Sequence, residues 1–190
     1  MTTSAIFDDL ARACALTGDL IDRIAPGQWT APTPCTEWSV RDVVNHLVGT
    51  NLLFVAMFEG SPMPERGADR LGTDPAGAFR RSAAKVQAAA ALPGVLERSQ
   101  TTPVGVATGA ERLQWRIVDL LAHGWDLVQA TGGAVELPED LVEQALTFVR
   151  AELPGQPRAG RFGDPQPIRD DAPAIDRLAA LTGRPVPWTP

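Results

Sequence analysis

Histidine, lysine, cysteine and tyrosine are scarce or absent in this sequence of 190 residues. It has two histidines, two cysteines and no tyrosine, and Lys85 is the single lysine. The cysteines, Cys14 and Cys35, build neither a disulfide framework nor a C-x-x-C zinc site, and we interpret both as structural thiols. Since imidazole is the commonest metal ligand, the search for chemistry narrows to His46 and His123.

Long apolar runs and an excess of positive charge are also lacking. No apolar run approaches the roughly 18 residues of a membrane span. The first residues do not combine a charged segment with an apolar one, as signal peptides do. The net charge of −6 and a pI near 4.9 disfavour nucleic acids and anionic membranes as partners. We therefore expect a cytoplasmic protein that binds neither.

Helical periodicity dominates what is present. Hydrophobic residues make up 44% of the chain, which suits one soluble domain with a core. Capping boxes, in which a Ser or Thr is followed three residues later by an acid, occur at Ser39 and Thr108. We expect the stretch from Leu92 to Gly109, with its prolines and glycines, to be irregular.

These patterns predict an all-α fold. We expect an antiparallel four-helix bundle over residues 4–153, with short extra helices. Residues 154–190 are rich in proline, glycine and charge. We interpret them as a C-terminal arm packed on the bundle, within a single domain spanning residues 1–190.

A stripe of acids and one imidazole follows the segment from Glu111 to Gly132. At about 100° per residue, Asp119 and His123 lie about 40° apart, and Asp126 follows one turn later. Most of the remaining circumference is apolar. A carboxylate and an imidazole four residues apart can reach one ion. The alternatives are a polar helix face in water and a histidine satisfied within the core.

The second histidine favours the metal interpretation. His46 lies on the helical segment that follows Ser39, where Gly49 leaves room for a helix or a ligand. We predict that His46, Asp119 and His123 bind one divalent ion and leave one or more positions to water, as in catalytic zinc sites. Binding should weaken as the pH falls through the histidine range.

Three stretches occur together and in order: TPCTEWSVRDVVNHLVG, DLLAHGWDLVQATG and FGDPQPIRDDAPAIDRLAALTGRPVPW. In this combination the chain resembles an actinobacterial family of the DinB/YfiT-like superfamily. That family is similar to the N-terminal metal-binding domain of mycothiol-dependent maleylpyruvate isomerase. The resemblance covers nearly the whole chain, and it implies a four-helix bundle that holds a divalent metal, commonly zinc or nickel, between helices.

The resemblance also implies which residues bind the metal. The family's histidine on the second helix corresponds to His46, and its last ligand corresponds to His123. Four residues before the latter the family has Glu or His, whereas this chain has the shorter Asp119. Asp126 either binds the ion in place of Asp119 or, without binding it, orients one of the ligands.

The resemblance implies a metal-dependent S-transferase or isomerase that uses mycothiol, a low-molecular-weight thiol, with an electrophilic substrate. Asp126 is the candidate catalytic residue, for a proton or for a hydrogen bond to His123. Arg112 and Arg116 either attract an anionic substrate or are plain surface arginines. The larger isomerase has a C-terminal domain that takes part in its activity, so we do not expect its reaction itself to transfer. The alternatives are a non-catalytic metal- or ligand-binding protein, for which we consider a homodimer, and a metal-hydroxide hydrolase.

Overall fold

A computed structural model of the chain describes residues 3–102, 105–133, 137–155, 157–158 and 160–189. These ranges form a mostly helical fold, as expected. The helices are α1 (Thr3–Asp22), α2 (Val40–Glu59), α3 (Pro75–Ala90), α4 (Gly109–Thr131), α5 (Glu139–Glu152) and α6 (Ala174–Leu181), and the strands are β1 (Ser99–Thr102) and β2 (Gly105–Thr108). Short 3-10 turns occupy Pro26–Gln28 and Leu153–Gly155.

Helix α4 has well-defined ends that fix its register. The Thr108 hydroxyl accepts a hydrogen bond from the backbone N–H of Glu111, whose carboxylate accepts one from the backbone N–H of Thr108 at 2.6 Å. The helix ends at Gly132, whose φ of 68° lies in the left-handed region that favours glycine. The same kind of capping box at Ser39 begins α2.

Helices α1 to α4 surround the main core. Helix α1 packs against α3 and α4, and α2 packs against the same two helices. Fully buried side chains between them include Leu10, Ile21, Leu47, Phe58, Phe79, Leu113, Leu120 and Leu121. Each such side chain contributes roughly 1.5–3 kcal/mol relative to an exposed position. This pairing is compatible with a four-helix bundle, which stays a prediction.

The stretch expected to be irregular forms a small sheet instead, so the all-α expectation is wrong at this point. Strands β1 and β2 pair in antiparallel register, with Ser99 opposite Thr108 and Thr102 opposite Gly105. The strands hold four residues each and are mostly polar or small, and Val106 is exposed. Strands this short and exposed lack the apolar alternation that identifies a strand in a sequence.

The C-terminal arm lies against α5 and α4. Helix α6 packs on both, and Arg177 of α6 forms an ion pair with Glu143 of α5. The Trp125 indole N–H of α4 donates to Asp176 of α6 at 2.8 Å. Phe162 of the arm packs against Trp115, with ring centroids 5.8 Å apart.

The expected single domain 1–190 includes positions 1, 2, 103, 104, 134–136, 156, 159 and 190, which lie outside the described residues; positions 156, 159 and 190 belong to the expected arm 154–190. That bundle and arm form one domain stays a prediction. Among the helices of the described ranges, none combines the length and the apolar character that crossing a membrane requires.

Candidate metal centre

Side chains from α2 and α4 converge on one point. The Nε2 atom of His46 lies 3.1 Å from Oδ1 of Asp119, and Nε2 of His123 lies 3.5 Å from the same oxygen. One ligand atom from each of the three residues lies within 4.8 Å of the other two. The shorter carboxylate of Asp119 therefore reaches both imidazoles, and the structure brings together all three predicted ligands.

The predicted stripe on α4 does not face water along its length. His123 is 6% exposed and Asp126 is fully buried. The alternative of a polar helix face in water is therefore wrong for these two residues. The side chains of His46 and Asp119 are 30% and 27% exposed. The group is thus enclosed at His123 and open at His46.

A buried hydrogen-bond network fixes His123 from behind. Its Nδ1 lies 2.8 Å from Oδ2 of Asp126. When Nδ1–H donates to this carboxylate, the lone pair of Nε2 faces Asp119. The guanidinium of Arg184, from the C-terminal arm, donates to both oxygens of Asp126. These contacts support Asp126 as the residue that orients His123 rather than as a ligand itself.

Arg116 holds the other side of the carboxylate of Asp119. Its guanidinium donates to Oδ2 of Asp119, to Oδ1 of Asn51 at 3.0 Å and to a backbone carbonyl of α2 at 2.9 Å. Arg112 donates to the carbonyl of Gly105 in β2 at 2.6 Å. Both arginines are buried, so the interpretation of either as a plain surface arginine is wrong. A guanidinium can be buried where carbonyl and carboxylate oxygens accept hydrogen bonds from its N–H groups.

The charges around the group balance. The carboxylates of Asp119 and Asp126 face the guanidiniums of Arg116 and Arg184. Burial alone would raise the pKa of Asp119, but the two imidazoles bring it well below its usual value. Burial lowers the pKa of His123, yet the two carboxylates outweigh this effect and raise it overall. Both carboxylates thus stay ionised, as a ligand or hydrogen-bond acceptor at this site must be.

Trp38 is a neighbour of the site whose position the sequence did not predict. Its ring centroid lies 4.9 Å from that of His46 and 5.7 Å from that of His123, nearly parallel to the latter ring. The indole packs against both imidazoles, and the Thr50 hydroxyl lies 3.4 Å from Nε2 of His46.

A second set of donors lies next to the first. Ligand atoms of Cys35, His123 and Asp126 also lie within 4.8 Å of one another. Burial, followed by the charge of Asp126, raises the pKa of the Cys35 thiol to about 11. The carboxylate of Asp126 is already engaged by Arg184. This second set therefore suits a cation less well, and the high pKa supports a structural thiol.

The first set fits a divalent ion by chemistry and by spacing. Imidazole nitrogen and carboxylate oxygen bind zinc at about 2.0–2.2 Å. Two ligands of one ion then lie no more than roughly 4.3 Å apart, a limit that both N···O distances of Asp119 satisfy. The second nitrogen of His123 has the carboxylate partner typical of metal-bound histidine. That these residues bind metal stays a prediction.

Comparisons with known proteins identify the family of the chain. The family described as the mycothiol maleylpyruvate isomerase N-terminal domain matches residues 10–128. The chain belongs to this family, and membership of the DinB-like superfamily is consistent with it. Uncharacterised proteins from two strains of Mycobacterium tuberculosis are each 33% identical over 174 residues, which cover 88% of this chain and 91% of theirs.

Solved structures support the fold. The crystal structures of a mycothiol-dependent maleylpyruvate isomerase and of one of its mutants each match with a TM-score of 0.67 at 14% identity. The match covers 80% of this chain and 70% of theirs. At this identity the similarity establishes a shared fold and leaves the reaction to be argued from the site.

Proposed function

We propose that the protein is a metal-dependent enzyme that transfers or isomerises an electrophilic substrate with the help of a low-molecular-weight thiol, mycothiol being the thiol that the family's name suggests. The observation that carries the proposal is the convergence of His46, Asp119 and His123 from two helices. Family membership supports the choice of thiol. Zinc is the ion we expect first, and nickel second, because nitrogen and carboxylate donors suit both.

The chain supplies two imidazoles and one carboxylate to the ion, a donor set typical of catalytic rather than structural zinc. A thiol that coordinated a divalent ion held by these residues would have its pKa, near 8.5 when free, lowered. Arg116 and Arg184 hold Asp119 and Asp126 from behind. Both carboxylates therefore keep their orientation when a ligand arrives.

The charge balance supports an anionic ligand. The two carboxylates and the two guanidiniums around the site cancel formally, and the imidazoles must be neutral to bind an ion. The positive charge of a bound dication would then have to be balanced by a further ligand. A thiolate, or a thiol that loses its proton on binding, meets this need better than a neutral ligand does.

The residues around the group define where the thiol enters. Trp38 packs against both imidazoles and covers part of them. The side chains of His46 and Asp119 are partly exposed, so the group is accessible at these two residues. Asp126 has no exposed surface. Of the two roles we considered for it, its contacts support the hydrogen bond to His123 more than proton exchange with a substrate.

A cobalt-substituted protein tests the proposal directly. We expect added mycothiol to shift the visible spectrum of bound cobalt and the metal-loaded protein to accelerate consumption of mycothiol against a panel of electrophiles. The same thiol with its sulfur methylated is the matched control and should change neither. Hydrolysis of esters or amides without thiol consumption would favour the hydrolase alternative. Metal binding without any response to thiol would favour a binding protein without turnover.

Finer features of the fold belong to the same proposal. We infer that α1 to α4 form the antiparallel four-helix bundle expected from the resemblance, supported by the packing of α1 and α2 against both α3 and α4. We also infer that the bundle and the arm act as one domain, supported by the contacts of α6 with α4 and α5. Circular dichroism dominated by β-structure would contradict the first inference, and separate unfolding of the arm would contradict the second.

A further inference from the structure

We infer that Arg184, in the C-terminal arm, is a positioning residue of the metal centre. It holds the carboxylate of Asp126, which in turn fixes His123 so that Nε2 points at Asp119. The inference deepens the proposed function and rests on it, since it names what fixes one ligand of that site. The C-terminal arm would thus contribute a residue to a centre whose other residues lie on α2 and α4.

Contacts connect the arm to the imidazole through Asp126, and Nη2 of Arg184 also lies 3.5 Å from Nδ1 of His123 itself. Nε of Arg184 lies 3.2 Å from Oδ1 of Asp126, and Nη2 lies 2.8 Å from Oδ2. Two donors on two oxygens make a bidentate pair, which fixes the plane of the carboxylate as well as its position. Oδ2 also accepts the 2.8 Å hydrogen bond from His123. Rotation of the imidazole would break that bond.

All three side chains in these contacts are buried. Arg184 is 7% exposed, and Asp126 is fully buried. A buried charge pair is strongly oriented, because any other arrangement leaves a charge without a partner in a poorly solvated place. Lysine in place of arginine would keep the charge but lose the two-point contact.

The arm is shaped to deliver this arginine. Gly183 has a φ of 101°, a value that favours glycine, and the backbone N–H of Arg184 donates to the carbonyl of Ala179 in α6 at 2.9 Å. The hydrogen bond from Trp125 to Asp176 attaches α6 to α4 beside the same site. The turn after α6 therefore directs the guanidinium inward.

The arginine lies outside the region that the family model matches. The family match ends at residue 128, whereas Asp126 and His123 lie within it. The support for His123 thus combines a residue of the matched region with one of the arm. Arm docking and metal binding should then be coupled, and such coupling is reciprocal: each strengthens the other by the same factor.

Metal-free protein offers the first test, and its readout does not depend on metal or activity. The chain has two histidines, so nitrogen-15 labelled histidine gives two rings to assign. In the wild type we expect His123 to carry its proton on Nδ1, with slow exchange of that proton. Arg184→Met should accelerate the exchange and mix the tautomers, and Arg184→Lys should give an intermediate result that shows partial rescue.

The control is Arg177→Met, which removes a different arm contact, the ion pair of α6 with Glu143. It should leave the His123 signals unchanged. Wild-type signals in both Arg184 variants would overturn the inference, and so would equal changes in the Arg177 variant. If Arg184→Met fails to fold, Arg184→Lys decides, since it keeps the charge that Asp126 needs.

Metal affinity, measured by competition with a chromophoric chelator, is the second readout. Substitution of the groups that support metal ligands typically weakens binding by roughly 10- to 100-fold, and we expect a loss of this order for Arg184→Met. Arg177→Met should bind as the wild type does. Unchanged affinity in Arg184→Met would overturn the coupling. A wild type that binds no ion would refute the proposed function, while the tautomer measurement would still decide the role of Arg184.

Discussion

The two histidines of the centre are held in very different ways. His123 is buried, and its Nδ1 is tied to Asp126 and through it to Arg184. The side chain of His46 is about a third exposed and packs against the ring of Trp38. Its polar contacts are with Asp119 and, at 3.4 Å, with Thr50. The difference indicates that α4 supplies a rigid half of the site and α2 an adjustable one. We expect ligands to enter on the adjustable side.

Asp126→Ala should produce the largest effect, because it removes the support of the rigid half. It leaves the buried Arg184 without its carboxylate, and breaking a buried pair in this way costs about 3–5 kcal/mol. Urea unfolding should show a loss of that order. The matched control is Asp140→Ala, which breaks the exposed pair with Arg12 and should leave the midpoint nearly unchanged. Equal midpoints for both variants would contradict a supported His123.

Removal of each histidine in turn should separate the two halves. Both His46→Ala and His123→Ala should weaken metal binding by more than the roughly 10- to 100-fold expected for a supporting residue. Only His123→Ala should also lower the thermal midpoint of the metal-free protein, since it leaves Asp126 with one buried donor fewer. Thermal unfolding with a chelator present measures this. Equal destabilisation by both substitutions would show that the two sides are held alike.

The titration of His123 should make metal binding depend on pH. Burial lowers the pKa of His123, but Asp119 and Asp126 raise it overall. Because an imidazole binds an ion only when it is neutral, protonation of His123 should weaken metal binding as the pH falls through this raised pKa. Asp126→Asn removes one of the two negative charges that raise the pKa of His123, so metal affinity should begin to fall at a lower pH. Chelator competition at a series of acidic pH values measures this. An identical loss of affinity in the wild type and in Asp126→Asn would show that Asp126 does not raise the pKa of His123.

Cys35→Ser should have the smallest effect. Its thiol lies near His123 and Asp126, but burial raises its pKa to about 11, so roughly 0.1% is thiolate at pH 8. We expect metal affinity to change less than about twofold, within the range of a residue that is not a ligand, and alkylation by iodoacetamide to be slow. A large loss of metal would instead favour the set formed by Cys35, His123 and Asp126.

Much of this site was predictable from local sequence. The i, i+4 spacing of Asp119 and His123 places both on one helix face, and the capping box at Thr108 fixes where that helix begins. The scarcity of histidine then singled out His46 as the remaining partner. Helical periodicity carries this information because it depends on neighbours within a few turns.

The rest depends on contacts between distant parts of the chain. Arg184 meets Asp126 across 58 residues, and Arg116 meets Asn51 across 65. An arginine in a helical pattern looks like a surface residue, because its burial depends on which acceptors other elements bring to it. The contact of Trp38 with both imidazoles depends on the path of the loop that precedes α2. The β1–β2 hairpin was missed because its strands are too short to show a period.

Metal content is the measurement that tests the central claim most directly. Purified wild-type protein, loaded with zinc and dialysed, should retain one divalent ion per chain by elemental analysis, and a His46→Ala, His123→Ala double variant should retain none. Asp42→Ala, which changes an exposed acid at the start of α2, is the control and should retain the ion. Equal metal in the wild type and the double variant would contradict the assignment of His46, Asp119 and His123 as a metal centre.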